Sequence, residues 1–293
     1  MSLWLDLLGA TVRHVETQSF GHVRIVEAGM GKPEALLLMH GIGGHLEAYA
    51  KNVLALSVDY HVIAFDFVGH GLSDKPLDID YLPATYARQL CELMDALGIA
   101  RAHISGESLG GWVAGTFAVM FPFRVRRLIL NTTGGIPIVS EKGRRDLQHL
   151  EELSRKNVGQ VPTLDTVRRR MQWLMHESNW PLLDDELVGL RLAMYLRPDF
   201  QRAAPKVLAL LKSADSGAGA PGMIELGKLD CETLFLWTRF NPIHDLEAAT
   251  AACAQAPGAQ LYVMQADAAH WPQYEAPDEF NAVVRRFLQT GTV

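Results

Sequence analysis

The residues best placed to do chemistry are Gly106-Glu107-Ser108-Leu109-Gly110, a G-x-S-x-G pattern between an apolar run and a helix-like stretch. A serine hydroxyl is a weak nucleophile until a base takes its proton. Small neighbours on both sides permit a tight strand-to-helix turn that lifts the serine clear of a sheet, with Gly111 easing the helix in. The serine then stands at the amino end of a helix, where developing negative charge is favoured. Five residues alone also describe an ordinary turn, so the partners decide the reading.

The first partner is His40-Gly41-Ile42-Gly43-Gly44, directly after "ALLLM". Acyl-type chemistry needs two backbone N–H groups aimed at the oxyanion. One follows the nucleophile, at Leu109, and the other comes from an early loop, here Ile42. Gly41 and Gly43 let that loop bend close to a substrate. No Gly-Lys-Ser/Thr follows, so this is not a phosphate loop. The second partner is His270 in "AAHWPQYEAPDEF", just past the last strand-like run. Among 11 histidines its position after that run marks it as the general base, and the order serine then histidine agrees.

Elements must hold these groups together. "HVRIVEA" (22–28) alternates like an early strand, while "ALLLMHG" (35–41), "HVIAFDFVGHG" (61–71) and "AHISGESLGG" (102–111) are apolar runs ending at glycine. "VRRLILNTTGG" (125–135), "CETLFLWT" (231–238) and "AQLYVMQA" (259–266) complete the set, with helical patterns near 83–97, 109–121, 246–256 and 277–289. Strands buried on both faces and alternating with helices predict an α/β fold with a mostly parallel sheet. Residues 138–217 break the rhythm with several helical patterns and no convincing strand. They are expected to form a helical lid over the carboxyl edge of a core made of 1–137 and 218–293, with "SADSGAGAPG" (213–222) as a flexible return.

Bulk composition narrows the alternatives. The 293 residues are 48% hydrophobic and 20% charged, with a net charge of −6, which gives nucleic-acid binding no support. Cys91, Cys231 and Cys253 lie far apart, without the spacing of a metal site or a disulfide framework. No signal-like start and no long uncharged apolar run is present, so a cytoplasmic protein without a membrane span is expected. The expected partner is a small molecule, with no metal and no organic cofactor, and a homo-oligomer is allowed.

With these motifs assembled, the chain resembles the α/β-hydrolase superfamily along nearly its whole length, including "DFVGHGLSDKP" (66–76). It is most similar to the meta-cleavage product hydrolases, serine-dependent enzymes that cleave a carbon–carbon bond in vinylogous 1,5-diketones from aromatic-ring degradation. "HWPQYEAPDEFN" (270–281), "ELVGLRLAMYLRP" (186–198) and "YAKNV" (49–53) carry that likeness. The resemblance implies that Trp271 lines the pocket and that Arg191 meets the substrate's oxygens, a role its planar fork suits. A solvated helix charge and a core aromatic are their ordinary alternatives. Ser108 itself argues against the dehalogenase branch, which uses aspartate there. Three departures stand out: Glu107 where asparagine is common, Ala48 at the match to another asparagine, and no proline in the glycine loop. A carboxylate at 107 repels an anionic substrate unless it is protonated or paired.

The acid that orients the histidine is the open position. In related sequences the aspartate falls four residues after the strand's tryptophan, which from Trp237 gives Asn241. Asparagine can orient imidazole through its carbonyl oxygen but supplies no charge. The rival is Asp245, which equally suits an N-cap of the helix that follows; Asp267 is close to His270 in sequence and reaches round poorly. The expected reaction is hydrolysis of a 2-hydroxy-6-oxo-dienoate type acid. The same machinery would serve a carboxylesterase or lactonase on small apolar esters, and the Asn241 slot also admits a ligand-binding pseudo-hydrolase.

Overall fold

An apolar strand flanked by other strands must be covered on both faces, because neither set of side chains can meet water. The computed structural model describes residues 2–156, 161–210 and 222–293, and in it Ala35–Met39 is buried at every position. This strand is β3 of an eight-stranded sheet. The others are β1 (Thr11–Thr17), β2 (Gly21–Ala28), β4 (His61–Phe65), β5 (Ala102–Glu107), β6 (Val125–Asn131), β7 (Glu232–Trp237) and β8 (Gln260–Val263). The order is β1-β2-β4-β3-β5-β6-β7-β8; β1 and β2 are antiparallel, and β4 onward run parallel.

The helices are α1 (Leu3–Asp6), α2 (Ala50–Ser57), α3 (Pro83–Ala96), α4 (Leu109–Met120), α5 (Glu141–Lys156), α6 (Leu164–Leu174), α7 (Asp185–Tyr195), α8 (Pro198–Leu208), α9 (Leu246–Cys253), α10 (Pro272–Glu275) and α11 (Pro277–Thr290). Alternate residues of β3 enter two different cores. Leu37 and Met39 pack with Leu90 of α3 and Phe117 of α4, whereas Leu36 and Leu38 pack with Val53 of α2 and Phe280 of α11. The chain leaves β3 towards one face and β5 towards the other, which opens a crevice at their carboxyl ends.

Besides the single turns α1 and α10, two core elements escaped the sequence reading. β1 presents only Val15 and Thr17 to the interior, so its pattern is too weak to read, and α2 is short. Helices α5 to α8 fill the interval between β6 and β7; Thr163 caps α6, and Asp184 caps α7 by accepting the Leu187 N–H. Most of the return stretch 213–222, and the boundary at 217, lie outside the described residues. Among the described residues no helix is long and apolar enough to cross a membrane.

Burial also sets the fold's response to acid. His40, His70 and His270 are pushed down to about 3 and His244 to about 4, because the interior penalises imidazolium. Unfolded, these groups titrate near 6.5. Between about pH 6.5 and 3 the unfolded chain therefore binds more protons, so stability is present above that window and is lost as pH falls through it. Each group contributes about 1.4 kcal/mol per pH unit within the window. Glu107, held up near 8 by burial, works in the opposite sense between about 4.5 and 8. The carboxyls of Asp6 and Glu275, also raised by burial, share that sense, while His45 and His103, also lowered by burial, act with the four histidines. Urea midpoints should fall steadily from pH 6.5 to 4.5; a flat profile would contradict neutral burial of these histidines.

Candidate active site

Ser108 sits at the end of β5 with φ 55° and ψ −114°, a conformation that L side chains rarely adopt. The flanking glycines are a steric necessity. A Cβ at Gly106 would lie 2.1 Å from the Gly110 carbonyl oxygen, and one at Gly110 would lie 2.1 Å from that of Met39. Backbone anchors the turn on its far side, where the Ser108 carbonyl accepts the N–H groups of Trp112 and Gly134 at 3.0 Å each. Gly110→Ala is accordingly expected to destabilise the protein by at least about 2 kcal/mol, because β3 backbone cannot yield as a side-chain tip does. An unchanged urea midpoint for that variant would contradict the packing.

His270 lies on the loop between β8 and α10. Its carbonyl accepts the hydroxyl of Thr132, itself at φ 38°, its N–H donates to Leu174 of α6, and Thr238 holds the carbonyl of Ala269. The Glu275 carboxylate accepts the N–H groups of Ala269, Trp271 and His176. Sequence reasoning did not single out Thr132 or Glu275. The available signal for Glu275 was an acid within the apolar "HWPQYEAP", where only backbone donors could satisfy it.

On the imidazole, Nδ1 is 2.7 Å from Asn241 Oδ1. The Asn241 amide nitrogen donates to the His244 carbonyl, which fixes the amide orientation, so Nδ1 carries the proton and Nε2 the lone pair. Asp245 turns elsewhere: its Oδ1 accepts the Ala248 N–H at the start of α9 and its Oδ2 accepts the Ser140 hydroxyl. Asp267 is on the surface beside Arg239. Nε2 instead faces Glu107, whose Oε1 is 3.2 Å away.

The catalytic-looking groups open onto one cavity. Gly41, Ile42, Leu109, Ser108, His270 and Trp271 all line it, while Gly43 does not; its carbonyl accepts the Tyr195 hydroxyl of α7 instead. Much of the lining is apolar, from Trp112, Leu147, Leu150, Leu174 and Ile243, and it also includes Arg170. Arg191 lines it too, only 2% exposed, with its guanidinium 4.6 Å over the Trp271 ring. Arg191 Nε donates to His45 Nε2 at 3.4 Å, and His45 Nδ1 meets Glu47, itself bound by Arg24. Arg191 Nη2 has no partner among the described residues, so a buried cation presents an open donor. Burial sets Arg191 apart from a solvated helix charge, while Trp271 both packs in an apolar cluster with Met171 and Leu187 and lines the cavity.

Residues 34–277 match the family model of the alpha/beta hydrolase fold. The chain belongs to the α/β-hydrolase family. This hydrolase is 32% identical over 227 residues to the 2-hydroxymuconate semialdehyde hydrolase of Pseudomonas putida, covering 78% of this chain and 76% of the relative. It is 30% identical to the 2-hydroxy-6-oxo-2,4-heptadienoate hydrolase of Pseudomonas putida strain F1, over 89% of this chain and 91% of that one. Among solved structures, the meta-cleavage product hydrolase of Pseudomonas fluorescens is similar at a TM-score of 0.77 and 25% identity, covering 94% of this chain and 97% of its own. Fold, enzyme class and likeness to the meta-cleavage product hydrolases thus agree with what the elbow, glycine loop and final histidine imply.

Proposed function

We propose that this hydrolase is serine-dependent and cleaves a carbon–carbon bond beside the ketone of a 2-hydroxy-6-oxo-dienoate type acid. The observation that carries this reading is Arg191, a buried guanidinium with an open Nη2 donor in the same cavity as Ser108 and His270. A neutral ester leaves that cation uncompensated, whereas a substrate carboxylate supplies the missing charge and acceptor. The relatives named above act on acids of this type.

In this reading Arg191 and Trp271, with the loop at Gly41, hold the acid end, and the apolar wall receives the other end. His270 first delivers a proton to carbon so that the bound dienolate becomes a ketone. Ser108 then attacks the carbonyl carbon, or activates the water that does, with His270 Nε2 as base. The N–H groups of Ile42 and Leu109 hold the oxyanion. Breaking the adjacent carbon–carbon bond leaves an acyl group on Ser108 that water removes. Asn241 orients His270, and the helices of 138–217 act as a lid. No metal or organic cofactor enters this scheme, and a cytoplasmic enzyme fits it.

Turnover of a coloured ring-fission dienoate, compared with that of a p-nitrophenyl ester, tests the reading. The dienoate should be strongly preferred; fast ester turnover with an inert dienoate would overturn the assignment in favour of a carboxylesterase or lactonase. The orienter has a separate test. Asp245→Asn should keep the rate within about threefold while costing roughly 0.5–1 kcal/mol through the weakened cap. A rate loss of several hundredfold would return the acid role to Asp245.

A further inference from the structure

Among the described residues Glu107 is the one acidic side chain lining the cavity, and the elbow geometry does not use its carboxyl. It ends β5, opposite Asn131 in register with β6, and its side chain is buried. The groups facing it are His270, the Tyr49 ring, Arg191 of α7 and the Gly41 N–H. A Cβ at Gly41 would come within 2.7 Å of its Oε2, so no side chain separates it from the oxyanion loop. Its Oε1 is buried without a hydrogen-bond partner among the described residues and lies 3.2 Å from His270 Nε2. Asn241 leaves that nitrogen with a lone pair, so a proton lies between them only if the carboxyl carries it.

Resting on the reading above, we propose that Glu107 is the charge partner of His270, sharing one resting proton with Nε2 and taking the place of the aspartate that Asn241 does not supply. The accounting of protons is then complete. The substrate arrives as a dienolate. The shared proton passes from Glu107 through His270 to the dienolate carbon, giving the ketone and leaving Glu107 as carboxylate beside neutral imidazole. That is the base form the next step requires. The Ser108 proton moves to Nε2, the imidazolium is balanced by the Glu107 carboxylate, and the proton goes on to the departing carbon as the bond breaks. Water then attacks the acyl-serine; one of its protons returns through His270 to Ser108 Oγ, and the acid released returns the other to the pair. The protonated resting state agrees with burial, which outweighs Gly41 and Arg191 and raises the carboxyl to about 8. On the far side, His244 is the titratable neighbour of His270, and it is neutral at working pH.

Infrared spectroscopy of the full chain tests the shared proton without any substrate. A protonated carboxyl band should be present at pH 6.5, fade as pH rises through about 8, and be missing from Glu107→Gln. If wild type and Glu107→Gln have the same carboxyl region at pH 6.5, the proposal is overturned, whatever the substrate. Kinetics with the dienoate test the role. Glu107→Gln, nearly isosteric, should lower kcat about 10²-fold and lose the fall in rate above pH 8. Adding Asn241→Asp should restore at least tenfold of that loss, and its effect in the wild-type background should differ from that by at least tenfold. A variant that keeps the alkaline limb, or an Asn241→Asp effect equal in both backgrounds, would overturn it, since a structural role moves neither. If wild type leaves the dienoate untouched, the assigned reaction fails while the infrared result still decides the shared proton.

Discussion

Ser108→Ala is expected to lower kcat for the dienoate at least 10³-fold while leaving substrate binding within about threefold. The magnitude follows from removing the proposed nucleophile of a unit whose members act together, where the loss of one member forfeits nearly all of the unit's contribution. The binding expectation comes from geometry. Alanine bears the same backbone strain as serine at φ 55°, so the turn imposes no new cost, and the Arg191 side of the cavity is untouched. The coloured acid should bind to the variant and persist. Stopped-flow absorbance with equilibrium dialysis reads both quantities. A rate within tenfold of wild type would remove serine from the mechanism and leave direct attack by water.

The second large effect concerns Arg191. Arg191→Met should reduce kcat/KM for the dienoate about 10³-fold and that for a neutral ester less than tenfold. Breaking one side of a desolvated charge pair costs about 2–5 kcal/mol, which spans this range. The variant should be no less stable than wild type. It replaces a buried cation that has an open donor with an apolar chain of similar length, and such exchanges are often neutral or stabilising. Lost dienoate activity with a retained or raised urea midpoint is therefore the signature of an anion site. Equal losses for both substrates would mean that Arg191 only shapes the cavity.

The tests differ in how far each was legible beforehand. "ALLLMHG" and "AHISGESLGG" announce their strands because each must be apolar on both faces, and the elbow glycines announce themselves because a Cβ at either would meet backbone. The strand-end positions of Ser108, the glycine loop and His270 were readable for the same reason: their demands fall on residues adjacent in the chain. β1 and α2 were missed because they bury too few residues to leave a pattern.

What faces His270 is of another kind. Asn241 is 29 residues away in sequence, and whether it or Asp245 reaches Nδ1 depends on how the turn after β7 meets the loop after β8. Asp245 was readable as a cap, and the helix keeps its carboxyl. Counting residues could place Asn241 in the slot but could not give the 2.7 Å contact. The burial of Arg191 against Trp271 likewise follows from packing the inserted helices over the sheet edge. The sequence by itself determined the sheet, the elbow and the residue types available, through local sterics and burial. Only the tertiary structure decided their partners, because Glu107, Asn241 and Arg191 acquire their environments from segments far apart in the chain.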